Sequence, residues 1–251
     1  MHEAADWVVN MNVALIFAGG VGVRMNSGST PKQFLDIYGK PIIIYTLEVF
    51  ERCEEIDAVC VACVESHIGY MKTLCRKFSI SKVKWIVKGG ETGQLSIYNG
   101  LRAIHENCPS DSVVLIHDGV RPIIDEQLLK ENIESVKHYG SAISCAKATE
   151  TPAQIDENGY IINVAPRESA VIAKAPQSFV LKDIYEAHLK SIASGITGFI
   201  DSASMMMHYG YQLHQVTCRN DNIKVTNPSD YYVVKSIIDA NRDSQVFGIK
   251  C

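Results

Sequence analysis

The chain has 251 residues, of which 47% are hydrophobic and 21% charged. That is enough apolar material for one α/β domain with an appendage, and it excludes wholesale disorder. The formal net charge of -4 excludes the broad basic field that drives nucleic-acid binding, so no nucleic-acid partner is expected and any anion site must be local. Taken in chain order, residues 1–11 carry Glu3 and Asp6 where a signal peptide needs a basic start and then an apolar run. They are predicted to be a disordered extension ahead of a single domain over 12–251. Apolar strand-length runs follow at Asn12–Ala18, Ala58–Val64, Val83–Val87 and Val113–His117. Between and after them, helical periodicity is predicted over Ile42–Arg52, His67–Phe78, Leu95–Asn107 and Glu126–His138. Strands alternating with helices predict a mostly parallel, Rossmann-like sheet flanked by helices, with ligands outside the carboxyl ends of its strands. A strand at Ala142–Lys147 is followed by a polar, turn-rich excursion, Thr149–Ala175, with Asp156–Gly159 as a hairpin tip. A hairpin alone buries too little, so this arm, at about 149–175, is expected to pack on a second copy as a homodimer. Further helices are predicted over Leu181–Ser194, Asp201–Tyr209 and Pro228–Ala240, with a short strand at Gln212–Val216.

No run approaches the ~20 apolar residues of a membrane-spanning helix, which predicts a soluble protein with no membrane partner. The eight cysteines are scattered in a chain too long for a small secreted disulfide scaffold, so reduced, buried thiols and a cytoplasmic location are expected. Cys60 and Cys63 stand without a second pair and are not read as a zinc site.

The three strand ends carry the chemistry. The first runs into Ala18-Gly19-Gly20-Val21-Gly22-Val23-Arg24, followed by Pro31-Lys32-Gln33. Glycines let backbone N–H groups approach phosphate oxygens, and Arg24 and Lys32 add full charge, which makes this loop an anion cradle. A dinucleotide fingerprint is disfavoured because Met25 replaces the third glycine and the nearest acid, Glu65, lies ~43 residues beyond Gly22 rather than ~20. The second strand end, Gly89-Gly90-Glu91 through Ser96, suits a base or ribose edge. At the third, Asp118 suits Mg2+ against phosphate oxygens, with a turn cap as the plainer alternative. Arg121 either braces that loop or contacts a phosphate. His117 reads as a core imidazole, Asp201 as the N-cap of its helix, and Met205-Met206-Met207 as helix core.

These strings, in order with Ala175-Pro176-Gln177 and Asn222-Ile223-Lys224-Val225-Thr226, resemble the cytidylyltransferases for polyol phosphates within the sugar-nucleotidyltransferase superfamily. The resemblance spans about 12–238. It implies transfer of CMP from CTP to a polyol phosphate with Mg2+ as cofactor. It further implies that Ala18, Gly19, Gly20, Gly22, Gly90, Glu91, Ser96 and Asp118 bind the nucleotide, with Asp118 also holding the metal. Arg24, Lys32 and Lys224 are then the catalytic cations around the α-phosphate. Arg121, Thr151 and Arg167 bind the acceptor, the last two delivered across a dimer interface. Two positions depart from the family pattern: Gly93-Gln94 stands where an arginine is frequent, and Ala175 replaces a threonine before Pro-Gln. Gly119-Val120 tilts the expected acceptor to D-ribitol 5-phosphate over 2-C-methyl-D-erythritol 4-phosphate. An NAD(P)-dependent oxidoreductase and a CTP-binding protein without turnover are the readings from other classes.

Overall fold

The strand at Asn12–Ala18, β1, lies in the interior of a seven-stranded sheet because both of its faces are apolar. Val13, Leu15, Ala14 and Ile16 are all fully buried. The computed structural model describes residues 10–19 and 30–247. Around β1 lie β4 (Ala58–Cys63), β5 (Val83–Lys88), β6 (Val113–Asp118), β7 (Ser141–Lys147), β10 (Val171–Val180) and β11 (Gln215–Thr217), in the order β11-β7-β10-β6-β1-β4-β5. Two short hairpins stand apart from this sheet: β2 (Asp36–Ile37) with β3 (Lys40–Pro41), and β8 (Ala153–Ile155) with β9 (Ile161–Val164). Strand pairing is parallel throughout the large sheet except at β10, which runs antiparallel to both β6 and β7.

Side-chain alternation along β1 sends Ala14 and Ile16 to one face, against α1 (Ile42–Arg52) and α4 (Glu126–Tyr139). Val13 and Leu15 point to the other, against α3 (Gly93–His105), α5 (Leu181–Ala193) and α6 (Ser202–His208). Two hydrophobic layers thus cover a sheet whose strands are buried on both sides, as parallel crossovers require. α2 (Ile68–Lys77) and α7 (Pro228–Phe247) complete the helices.

The strand and helix positions predicted from periodicity fall within a few residues of those observed, except around β10. That strand holds Lys174 and Pro176, which interrupt its apolar run, and a proline cannot donate to the ladder. The sheet accommodates them with a register shift between Ala173 and Gln177. The excursion therefore ends as a central strand rather than as loop through Ala175. β11 begins at Gln215 rather than Gln212, and α7 extends past Ala240 to Phe247. The arm is a hairpin, with every residue of β8 and β9 exposed. Asp156 Oδ1 accepts from Asn158 and Tyr160 N–H at its tip, each at 2.9 Å. Met205 and Met206 are core, as predicted, but Met207 is 66% exposed.

A buried amide fixes the antiparallel strand. Asn132 on α4 donates to Leu128 O and Ser144 Oγ, and accepts from Ser178 Oγ of β10 at 3.0 Å. Asn132→Ala leaves those buried hydroxyls short of a partner, so chemical denaturation should show a loss of about 1–3 kcal/mol. A loss below about 0.5 kcal/mol, the range of surface substitutions, would contradict a stabilising role for this network.

Candidate active site

At the carboxyl ends of β1 and β6 two cavities adjoin, and a buried carboxylate stands in the wall between them. Asp118, the last residue of β6, has its side chain 8% exposed and holds two cations. Lys224 Nζ lies 2.5 Å from Oδ1, and Arg121 Nε donates to Oδ2 at 2.8 Å. Burial by itself raises the pKa of this carboxyl, but the charges of Lys224 and Arg121 outweigh it and hold the group below its ordinary value. A buried charge persists only when paired in this way.

The smaller cavity, about 220 Å³, is lined by Ala18, Gly19, Lys32, Gly90, Glu91 and Ser96, with Asp118 and Lys224 at its edge. Its backbone is drawn close. A Cβ on Gly19 would lie 2.6 Å from Ser96 Oγ, and one on Gly90 would lie 2.4 Å from Leu95 Cβ. Only residues without a side chain allow the β1 end and the start of α3 to meet here. Thr92 caps α3 by accepting from Leu95 N–H at 3.1 Å, while Ser96 Oγ accepts from Gly90 N–H at 3.0 Å and donates to Thr92 O. The first turn of α3 is thereby tied to the loop that precedes it. Gln33, itself buried, donates to Ala18 O at 2.6 Å and fastens the Lys32–Phe34 turn to the end of β1. Lys32 Nζ reaches Val225 O at 3.0 Å.

The larger cavity, about 390 Å³, opens on the far side of the ion pair and shares Phe17, Gly93, Asp118 and Lys224 with the first. Arg121 and Lys174 bring positive charge to its wall, and Gln177, Asp201 and His188 bring polar groups. The segment carrying Lys224 is clamped from below. Asn222 O accepts from Arg121 Nη1 at 2.9 Å and Lys174 Nζ at 3.1 Å, and Asn222 Nδ2 donates to Ala175 O at 2.6 Å. Burial first, with the nearby Arg121 adding to it, lowers the Lys174 pKa.

Of the residues singled out from the sequence, Ala18, Gly19, Lys32, Gly90, Glu91, Ser96, Asp118 and Lys224 line the smaller cavity, and Arg121 joins Asp118 and Lys224 in the larger one. Gly20, Gly22 and Arg24 lie outside the described residues. Thr151 and Arg167 are exposed on the arm and line neither cavity. Asp201 is the predicted N-cap, its Oδ1 accepting from Ser204 N–H at 2.8 Å, yet its Oδ2 also accepts from Gln177 Nε2 at the cavity wall. Lys174, His188 and the paired role of Asp201 were not evident from motif spacing, and Gln177 stood in a motif without a role assigned to it. His117 is fully buried and its Nε2 bonds Arg121 O at 3.1 Å, as a core imidazole does.

The family model described as IspD, 2-C-methyl-D-erythritol 4-phosphate cytidylyltransferase, matches residues 12–240. A ribitol-5-phosphate cytidylyltransferase of Vibrio parahaemolyticus is 50% identical, with 95% of this chain and all of the relative covered. One of Streptococcus agalactiae serotype V is 47% identical over the same shares. Among solved structures, the 4-diphosphocytidyl-2C-methyl-D-erythritol synthase of Anaerococcus prevotii superposes with a TM-score of 0.79 at 25% identity, covering 92% of this chain and 96% of the other.

Two buried imidazoles, His117 and His188, each have a pKa pushed down by burial from 6.5 to about 4. The unfolded chain therefore takes up protons first as pH falls. Stability is complete above pH 6.5 and declines toward pH 4, by up to about 1.4 kcal/mol per pH unit for each imidazole. Urea unfolding followed across that window should show the decline. A flat profile would contradict neutral burial of these side chains.

Proposed function

The chain belongs to the IspD family of polyol-phosphate cytidylyltransferases, and we propose that it transfers CMP from CTP to D-ribitol 5-phosphate, releasing pyrophosphate and forming CDP-ribitol. The observation that carries this reading is the pair of cavities meeting at Asp118 and Lys224. A reaction between two phosphates needs two pockets with cations at their junction. The ribitol-5-phosphate cytidylyltransferases at 50% and 47% identity favour ribitol phosphate as the acceptor. The family model itself, by its description, favours methylerythritol phosphate as the second reading.

In this reading CTP lies in the smaller cavity, its base and ribose along Gly90, Glu91 and Ser96. Its triphosphate lies along the glycines after β1, Gly20 and Gly22 included. A phosphate oxygen of the acceptor attacks the α-phosphorus in line; the new O–P bond forms as the bond to the β-phosphate oxygen breaks, and pyrophosphate leaves. The attacking oxygen is already anionic, so no strong general base is needed. Lys224 and Lys32, with Arg24, neutralise the charge that spreads over the phosphoryl oxygens. Lys32 and Lys224 are suited to act together, because Lys32 donates to the carbonyl of the residue after Lys224. Asp118 holds Lys224 aimed at the junction until a phosphate competes for it.

The chemistry of the donor set fits Mg2+. This hard cation is commonly held by one or two carboxylates plus substrate phosphates, and Asp118 offers one such carboxylate at the cavity junction. Among the described residues no cluster of three His, Cys, Asp or Glu could form an all-protein cage, so the remaining ligands would come from the triphosphate. When bound, the ion neutralises phosphate charge.

Thr151 and Arg167 reach the acceptor in this reading only from a second copy, with the arm as the dimer contact. Exposed Ile155, Tyr160, Ile161, Ile162 and Val164 supply the apolar surface such a contact buries. Arg167 then offers bidentate donors to the acceptor phosphate. Among the described residues no helix is long and apolar enough to cross a membrane, and a CTP-consuming reaction fits the cytoplasm.

Pyrophosphate release measured with CTP and each acceptor tests the assignment. Turnover is expected with ribitol 5-phosphate and weaker or none with methylerythritol phosphate; the reverse order would replace the first acceptor by the second, and inactivity with both would reject the reading. Lys224→Ala should lower kcat by about 10²–10³-fold with the fold intact by circular dichroism. Unchanged turnover would remove Lys224 from the mechanism.

A further inference from the structure

The larger cavity has two chemically different ends. Asp118, Arg121, Lys174 and Lys224 make one end ionic. Toward α5 and α6 the wall turns neutral or fully engaged, and one side chain there is unaccounted for. His188 on α5 is 1% exposed and lines the cavity, yet among the described residues neither Nδ1 nor Nε2 has a hydrogen-bond partner. His117, the other deeply buried imidazole, bonds Arg121 O through Nε2 and leaves only Nδ1 without a partner among the described residues, so His188 differs in having neither nitrogen bonded. A buried polar group without a partner carries a desolvation cost, and native proteins keep such groups paired with protein, water or ligand.

Its surroundings define what the partner must be. Burial holds His188 neutral, with a pKa of about 4, so one ring nitrogen donates and the other accepts. Tyr98 stacks on the ring with centroids 6.2 Å apart, which restricts its plane. Nearby, Gln177 is locked by donating to Asp201 Oδ2 at 3.0 Å and accepting from Ala203 N–H at 2.9 Å. An anion finds no charge to pair with at His188, and an apolar group leaves both nitrogens unmet. Hydroxyl groups, each a donor and an acceptor at once, match.

We propose that His188 is a specificity-determining residue that reads the hydroxyl-bearing chain of the acceptor, with the Asp201–Gln177 pair fixing the wall beside it. The inference rests on the cytidylyltransferase reading above: with the acceptor phosphate at the Lys224 end, its carbon chain extends toward α5. His188 then discriminates by hydroxyl count and chain length rather than by charge. It takes no part in the transfer itself.

The test compares D-ribitol 5-phosphate with the one-carbon-shorter erythritol 4-phosphate as CTP-dependent acceptors, for the wild type, His188→Leu and His188→Gln. His188→Leu should lower kcat/KM for ribitol 5-phosphate by about tenfold or more, the loss of one to two hydrogen bonds to a buried group. The change should appear in the acceptor KM, leave CTP affinity within about twofold, and shrink the preference for the longer acceptor. His188→Gln, which keeps a donor and an acceptor, should recover most of that preference. An unchanged acceptor KM and preference in a folded His188→Leu enzyme overturns the proposal alone. So does an equal loss with both acceptors and with CTP, which marks a purely structural role. Wild-type inactivity with every polyol phosphate overturns the cytidylyltransferase reading, and this proposal with it. Should His188→Leu fail to fold, the ring ¹⁵N resonances of His188 in the wild type decide. They should move to hydrogen-bonded values on titration with ribitol 5-phosphate, and fixed resonances at saturation overturn the proposal.

Discussion

A carboxylate buried at the end of β6 can exist as an anion only if cations come to it, and that requirement organises this protein. Asp118 draws Lys224 from a loop more than a hundred residues later and Arg121 from the turn that follows its own strand. Arg121 is in turn held by Asn222 O, and the segment around Lys224 is held by the side chains of Lys174, Asn222 and Lys32. Removing both cations would leave an uncompensated buried charge, whereas with one removed the other still pairs with Asp118. The ion pair is therefore best understood as a device that holds a lysine in position beside two cavities.

The sheet topology makes this economical. Parallel strands end on the same edge, so the ends of β1 and β6 lie side by side, and α3 starts beside them after β5. The antiparallel strand β10 crosses that edge in the opposite sense and carries Lys174, Ala175 and Gln177 past it. A wholly parallel sheet would have no strand entering from that direction, and the larger cavity would lack its wall. The rigid sheet core, buried on both faces, gives the junction a fixed frame in which charges are preorganised rather than recruited.

Much of this was legible in the sequence. Periodicity located β1 and α1 to the residue, and the runs ending at Ala18 and at His117 marked the strand ends where ligands belong. Asp118 and Lys224, the residues of the central ion pair, were both singled out by motif. What periodicity could not reveal was β10, because Lys174 and Pro176 break its pattern and only the register shift inside the folded sheet reconciles them with a strand. Long-range convergence was equally hidden. Nothing local to His188 announces a cavity, and the motif that holds Gln177 gives it no role, since each becomes a wall residue only when α5 and α6 pack beside β10. Asp201 shows how one residue can satisfy a local rule, as a helix cap, and still serve a nonlocal one through its second oxygen.

The ionic junction and the far end that holds His188 describe a cleft graded from charged to neutral polar groups, and the proposed reading puts the nucleotide on one side and the acceptor on the other. The most direct test is a crystal structure with CTP and magnesium bound. The account predicts the base beside Gly90 and Ser96 and the α-phosphate at the junction, with Lys224 turned from Asp118 to its oxygens. Phosphates bound away from that junction, with the Asp118–Lys224 pair undisturbed, would contradict it.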